Sequence, residues 1–417
     1  MRIAVVVHNS VRQDARVIKQ AQTLKDAGHD VHVFGLSADY DMEFVLEGEI
    51  PVHLSYRDVS GIGSVLSFHG LDPNKENKVW ASFSEQGRLV FEAVKQTMRP
   101  DVVHIHDHVC LTAASYYKEA FSCAIVWDAH EIYEELAGLE DVRRRVNPRI
   151  IRENAGFVDG FITLNESIAE VYAERYGELP EAVLIPNATR FSSVPAYDGR
   201  LHSKAGLDGC QRILLFQGGF SEHRGISFLL DVAGELDARW SVVFMGWGKL
   251  EELIKQRALE LDDRPKGRAR IAIVPGAAHA ELPQWTAGAS LGAIPYEDIG
   301  LNHRYCTPNK LWEFPSSGVP ILATDLPEMA ARIRRARMGF TVSPDLNATN
   351  AARAVNDLSD EDLRQFKRGA VDFIENDSWE QYESKLVDLY QDLAPRQSGI
   401  RGTLKRLMRR LESTYER

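Results

Sequence analysis

The chain has 417 residues, 44% hydrophobic and 26% charged, with a formal net charge of −11. This length suits two domains, each with a full core, and the acidic balance argues against a nucleic-acid partner. The four cysteines, Cys110, Cys123, Cys210 and Cys306, form no C-x-x-C pair, against both a zinc module and a disulfide framework, and no apolar run is long enough for a signal peptide or a spanning helix, so a cytoplasmic protein is expected.

Arg2 to Val7 reads as a buried strand. Ala15 to Ala27 reads as a helix closed by Gly28, and Val31 to Gly35 as the next strand. The first turn lacks G-x-G-x-x-G, so NAD or FAD binding is not expected there, and Asp14 and Arg16 are expected to pair with each other. Residues 39 to 80 show no regular pattern and no assignable chemistry, the Asp39, Tyr40, Asp41 triplet included. Asp101 to His106 is a third strand with Asp107 and His108 at its C-terminal end, where open α/β sheets place ligands. His104, His106 and His108 alternate without an identifiable distant ligand, so no metal is expected. Ala124 to Trp127 leads into Asp128, His130 and Glu131, a second polar strand end suited to sugar hydroxyls; such a histidine also serves as a hydrogen-bonded structural residue. Strands at Gly160 to Leu164 and Ala182 to Ile185 complete this half.

Periodicity lapses from Ala188 to Gly209, and a second βαβ series follows. Arg212 to Gln217 is a strand, Gly218 and Gly219 a tight turn, and Gly225 to Leu236 a helix preceded by His223 and Arg224. Glycines let a phosphate approach the backbone and an arginine can clamp it. Strands at Ser241 to Met245, Arg270 to Val274 and Leu291 to Ile294 lead to HRYCTPNKLWEFPSSGVP, residues 303 to 320. Thr307 as N-cap and Pro308 at the first helical position predict a helix through Glu313. Its N-terminus would face a cleft before the strand Val319 to Thr324, with Asn309, Lys310 and Glu313 on one face. A nucleoside diphosphate would fit there, phosphates on the helix end and ribose on the carboxylate; a packing helix with a solvated Lys–Glu pair is the alternative. Asp377 to Leu393 is an amphipathic helix. Residues 396–417 carry seven Arg or Lys and two Glu, a charge of +5, beside an apolar stripe of Leu404, Leu407, Met408, Leu411 and Tyr415. That pattern suits an anionic membrane surface or a packing helix. Arg143, Arg144, Arg145, Arg149 and Arg152 form a second basic run.

Five stretches, DARVIKQAQTLKDAGHDVHVFG, DVVHIHD, VWDAHEIYEE, FQGGFSEHRG and YCTPNKLWEFPSSGVPILATDLPE, in this order and spacing resemble the GT-B nucleotide-sugar glycosyltransferases, in particular the retaining family 4. The resemblance covers roughly residues 1 to 393. It implies an α/β chain of two facing Rossmann-like domains: an acceptor-side domain at 1–189, a linker at 190–209, a donor-binding domain at 210–376 and a crossover helix at 377–393, with the basic tail at 394–417. Glu313 matches the second glutamate of the family's Glu, seven residues, Glu motif, which holds the donor ribose; Tyr305 stands where the first glutamate should be. Arg224 matches the basic residue that binds the diphosphate, and Gly219 lies near where many members carry another arginine. His130 matches the histidine that reaches the transferred sugar, and Asp107 and Glu131 lie on the acceptor side. The implied catalytic group is His130, Arg224 and Lys310, with Gly218, Gly219, Tyr305, Asn309 and Glu313 around the donor.

The implied activity is metal-independent, retaining transfer of a hexosyl or N-acetylhexosaminyl group, without a cofactor. The donor would be a nucleotide sugar and the acceptor a glycan or lipid-linked molecule of surface-polysaccharide or glycoconjugate synthesis, the enzyme sitting peripherally on the inner face of a membrane. Two other readings stay open: a sugar-nucleotide epimerase of the same architecture, and an inactive nucleotide-sugar-binding subunit, to which Tyr305 points.

Overall fold

The computed structural model describes residues 1–57 and 73–393; the basic tail and residues 58–72 lie outside the described residues. Eight strands form the first sheet: β1 (Arg2–Val6), β2 (Asp30–Ser37), β3 (Met42–Leu46), β4 (Ile50–Tyr56), β5 (Val102–His106), β6 (Ala124–Asp128), β7 (Gly160–Thr163) and β8 (Ala182–Leu184). Six form the second: β9 (Arg212–Gly219), β10 (Trp240–Trp247), β11 (Ile271–Pro275), β12 (Leu291–Ile294), β13 (Ile321–Thr324) and β14 (Gly339–Val342). The strand orders are β3-β4-β2-β1-β5-β6-β7-β8 and β11-β10-β9-β12-β13-β14. All described pairings are parallel except β3 with β4. These are two Rossmann-like domains, the α/β architecture expected.

In each sheet the winding reverses once, between β1 and β5 and between β9 and β12. A crevice opens beyond the C-terminal ends of strands at such a switch point. His8 follows β1 and Asp107 follows β5, whereas Arg224 follows β9 and Tyr296 follows β12. Topology alone therefore gathers these four residues at ligand-binding edges.

The central strands are buried on both faces because helices cover both; β5 is buried throughout. Helix Ala15–Asp26 begins at Asp14, whose carboxylate accepts from the Val17 amide at 3.1 Å, and packs Val17, Ala21 and Leu24 against Val5 and Val33. Helices Pro73–Thr97 and Asp141–Asn154 cover the opposite face. After a 3-10 turn at Trp379–Gln381, helix Glu383–Leu393 returns to the first domain, where Trp379, Leu386 and Tyr390 are fully buried with Ile3, Val5 and Val126.

Several expectations change. Residues 39 to 80 contain the β3–β4 hairpin and the start of a 25-residue helix. Asp14 pairs with Asn9 as well as capping its helix, and Arg16 turns instead to Asp128. Gly218 and Gly219 are no tight turn: they extend β9 and pair with Gly246 and Trp247 of β10. The linker region contains helix Arg200–Ala205, whose Leu201 is buried in the second domain's core. The 303–320 helix runs from Lys310 to Ser316 with Asn309 as its cap, because Thr307 is drawn into a fully buried contact with Asn165 of the first domain.

Candidate functional site

The first-domain half is a network of buried polar groups at the ends of β5 and β6. Asp107 takes a left-handed conformation, φ 61°, which turns its carboxylate out of the strand. Tyr133 donates to Asp107 Oδ1 at 2.8 Å, His130 Nε2 lies 3.1 Å from the same oxygen, and His8 Nδ1 lies 3.4 Å from Oδ2. Burial would push the Asp107 carboxyl up, but His130, His8 and Tyr133 hold it far below the ordinary carboxylate range. Burial likewise opposes charge on His130, and the Asp107 and Asp128 carboxylates outweigh it, so this histidine is raised. Glu131 is raised by burial and by Asp107, against the pull of His130 and Arg224.

Beneath this lies a fully buried support. Arg16 grips Asp128 with two bonds of 2.8 Å, Gln20 donates to Asp128 at 2.6 Å, and Arg16 also donates to the Ile185 and Pro186 carbonyls at 3.0 and 3.3 Å. Asp128 in turn lies 3.5 Å from His106. His104, His106 and Asp128 are spaced closely enough to ligate a cation. Both Asp128 oxygens are already engaged, however, and His104 is bonded to the Tyr390 hydroxyl at 2.7 Å. His108 parts from the other two histidines, its ring 4.4 Å from that of Tyr133.

The second-domain half is set by one close approach. Gly225, at φ 71°, sits so near Pro295 that a Cβ would fall 2.0 Å from its carbonyl oxygen, so no other residue fits. Glycine here seats the loop on the end of β12, where His223 also meets Glu297 at 2.8 Å. Arg224 is thereby brought over Tyr296, with Cζ 5.7 Å from the ring centre, and Lys310 Nζ lies 6.0 Å from the same ring. A side chain at Gly218 would meet Lys310 Nζ at 3.1 Å. Among the described residues neither cation has a carboxylate within ion-pair distance. Glu313 is fixed by Gln217, which donates to it at 2.9 Å and accepts from Thr286 at 2.8 Å. Asn309 is exposed at the helix start.

Tyr305 does not take the place of a donor-facing carboxylate. It packs against the first domain's apolar cluster, and its carbonyl accepts from Asn165 at 2.9 Å. Next to it, the Cys306 thiol is pushed up to about 12 by burial, and Glu131, Lys310 and Arg224 all act on it. The charged groups of both domains therefore surround one space. Asn302 adds a direct tie, accepting from the Ile132 amide at 2.8 Å.

The structure thus brings His130, Asp107 and Glu131 together on one side and Arg224, Lys310, Gly218 and Glu313 on the other. Tyr296, Gln217 and Tyr133 are not singled out as site residues by the sequence, and Arg16 is given Asp14 as its partner in place of Asp128. Of these only Tyr296 carries a visible signal, an aromatic residue two positions beyond a buried strand at a sheet's ligand edge.

Two facing Rossmann-like domains with cations on one wall and a histidine–aspartate pair on the other define a GT-B sugar-transferring scaffold. The family description "Glycosyltransferase Family 4" matches residues 15–190 and "Glycosyl transferases group 1" matches residues 211–361. The chain belongs to the GT-B glycosyltransferases of the family 4 type. It is similar in structure to sucrose-phosphate synthase from Thermosynechococcus elongatus, with TM-score 0.72 and 16% identity over 94% of this chain and 99% of that one. Similar too are a UDP-forming trehalose-phosphate synthase from Burkholderia xenovorans, with TM-score 0.70 and 11% identity over 95% and 100%, and Anabaena HepE bound to UDP and glucose, with TM-score 0.67 and 13% identity over 94% and 99%. At such identities these likenesses establish the fold alone. Comparison with curated protein sequences gives no significant match.

Proposed function

We propose that this glycosyltransferase moves a sugar from a nucleoside diphosphate donor with retention of anomeric configuration, to a glycan or lipid-linked acceptor of surface-polysaccharide or glycoconjugate synthesis. The observation that carries the reading is the pair of cations, Arg224 and Lys310, beside the open backbone of Gly218. Departure of the sugar leaves negative charge on a diphosphate, and fixed positive groups aimed at it stabilise that charge most as the bond breaks. Glu313, oriented by Gln217, is suited to accept from a ribose diol. The similar HepE and trehalose-phosphate synthase structures, one bound to UDP and the other UDP-forming, support a nucleotide donor.

In the proposed step the anomeric C–O bond breaks with its electron pair passing to the diphosphate. The acceptor hydroxyl attacks from the same face, and its proton goes to the departing phosphate oxygen. No protein nucleophile is required. His130, oriented by Asp107, would donate to a hydroxyl of the transferred sugar. With Tyr305 turned into the domain contact, Glu131 is the carboxyl on this space available to accept from the same sugar.

Since protein cations neutralise the leaving group, transfer should persist without divalent metal. The expected outcome with an α-linked donor is an α-linked product, at an unchanged rate in excess EDTA, read by NMR of the anomeric proton. A β-linked product would overturn retention, and loss of activity restored by Mg²⁺ or Mn²⁺ would overturn metal independence.

The charge of +5 on residues 396–417 supports reversible docking on an anionic membrane. Each basic residue near such a surface contributes about 1 kcal/mol. The full chain should pellet with anionic but not neutral liposomes, and a chain ending at Pro395 with neither; equal pelleting of the two chains on anionic vesicles would refute docking through the tail. Among the described residues no helix is long and apolar enough to cross a membrane.

A further inference from the structure

Beside Asp107 a cavity of about 370 Å³ opens in the first domain, lined among others by Arg57, Gln86, His108, Tyr133 and Arg143. Its volume lies within the range of small-molecule sites. At one end are the groups of the proposed transfer, Asp107 and Glu131. The rest of the wall carries two guanidinium groups that the proposed transfer does not use.

Their placement follows from helix Pro73–Thr97, which presents Phe83 and Gln86 to the cavity. Residues three apart on a helix are neighbours, roughly 5–6 Å between Cβ atoms. Arg143 lies over the Phe83 ring, with Cζ 5.5 Å from its centre, and Arg57 donates to the Gln86 side-chain oxygen. The two guanidinium groups are therefore held over adjacent positions of one helix face. Of the five arginines in the 143–152 run, Arg143 is the one that lines the cavity; Arg145 and Arg149 pair with Glu76 and Glu153, Arg144 donates to the Glu134 carbonyl, and Arg152 lies over Tyr176.

Among the described residues Arg57 has no carboxylate within ion-pair distance, its partner being a neutral amide, and Arg143 has one loose ion pair at its Nε, with the half-exposed Glu140 at 3.7 Å. The carboxylate of Asp107 at the far end is engaged by His130, His8 and Tyr133. A second, independent feature lies between the two ends. His108 is only 7% exposed and lines the cavity, and among the described residues neither of its ring nitrogens has a hydrogen-bond partner of normal geometry. Asn147 Oδ1, near enough to act on His108, lacks one too. Buried polar groups of this kind have hydrogen-bonding capacity left for a ligand.

We infer, building on the proposed transfer, that the acceptor is a phosphorylated molecule. Its reacting hydroxyl lies at Asp107, its polar body meets His108 and Asn147, and its phosphate is clamped between Arg57 and Arg143. Two planar cations on one group match the charge and bidentate geometry of a phosphate. The phosphate is that of a free sugar phosphate or of a lipid-linked diphosphate.

The test is calorimetric titration of the full-length protein with glucose 6-phosphate against glucose, and with farnesyl diphosphate against farnesol, each with and without UDP. At least one phosphorylated probe should bind roughly 10-fold or more tightly than its neutral counterpart, and which one does so names the source. Arg57→Ala and Arg143→Gln should each weaken that probe by about 10-fold, the scale of one charge-assisted hydrogen bond. Their UDP affinity and melting temperature should match wild type, reporting an intact fold. Wild-type protein that binds neither phosphorylated probe better than its neutral counterpart would overturn the inference, as would variants that keep the full preference. Failure of UDP to bind would instead count against the donor reading, since the acceptor probes are also measured without it.

Discussion

Replacing Arg224 by alanine is expected to slow turnover by ~10²-fold or more, the scale of removing one preorganised charge donor from a developing anion. The effect should fall on kcat and on kcat/KM together, because diphosphate charge grows as the sugar leaves and the lost interaction is strongest there. The fold should not suffer. Among the described residues Arg224 makes no ion pair within the protein, its guanidinium lying over Tyr296, and the loop is seated by Gly225 rather than by the guanidinium. Steady-state kinetics with a melting curve checks this. A variant within a few-fold of wild type would place the diphosphate elsewhere, and a variant with a lowered melting temperature would make the guanidinium structural. Arg224→Lys should recover part of the rate, since the charge returns without the planar fork.

The second large effect is on stability. Arg16→Ala should destabilise the first domain by about 3–5 kcal/mol, because it leaves the Asp128 carboxylate buried with Gln20 as its remaining close donor. Arg16 also ties down the segment after β8 through the Ile185 and Pro186 carbonyls. Replacing both partners, as in Arg16→Met with Asp128→Leu, should cost less than Arg16→Ala alone, since no unpaired charge then remains. Chemical denaturation of wild type, Arg16→Met, Asp128→Leu and the double variant gives the double-mutant cycle; a double variant as unstable as the sum of the singles would deny the pairing. The pH dependence follows the same pair. Burial favours the neutral carboxyl, but Arg16 and His106 outweigh it and hold Asp128 well below its ordinary value. A carboxyl depressed on folding contributes stability that is complete above its unfolded value of about 3.9 and is lost as pH falls below it. Arg16→Ala should therefore flatten the acid limb of the stability profile.

The candidate site was legible in the sequence where local rules apply. Asp107 and His130 follow apolar strands, and a strand end in a parallel sheet is a ligand edge whatever the rest of the chain does. Arg224 and Glu313 stand out through their place in short motifs. What local pattern does not carry is the identity of partners. Arg16 and Asp128 lie 112 positions apart, and nothing near Arg16 indicates which strand end its helix will cross; the carboxylate two positions before it, Asp14, is taken by the helix cap. The helix at Lys310 starts late for a related reason, since Thr307 is a good capping residue that a tertiary contact with Asn165 claims first. In the hairpin, Ile50, Val52 and Leu54 alternate as a half-buried strand should, but β3 beside them is half exposed and blurs the signal. The cavity arginines are least legible of all: five arginines in ten residues look alike until a fold selects one.

The return of the chain to the first domain has a mechanical consequence. The polypeptide passes between the domains twice, once after β8 and once before helix Glu383–Leu393, and the two passes are fastened side by side. The Trp379 amide donates to the Thr189 carbonyl at 2.9 Å, and Arg190 lies 2.7 Å from Glu383. Lys19 reaches both passes, donating to the Ala188 carbonyl while lying 4.8 Å from the Trp379 ring. One crossing would be a swivel; two crossings clamped together make a door hinge, stiff against twist and soft in a single direction.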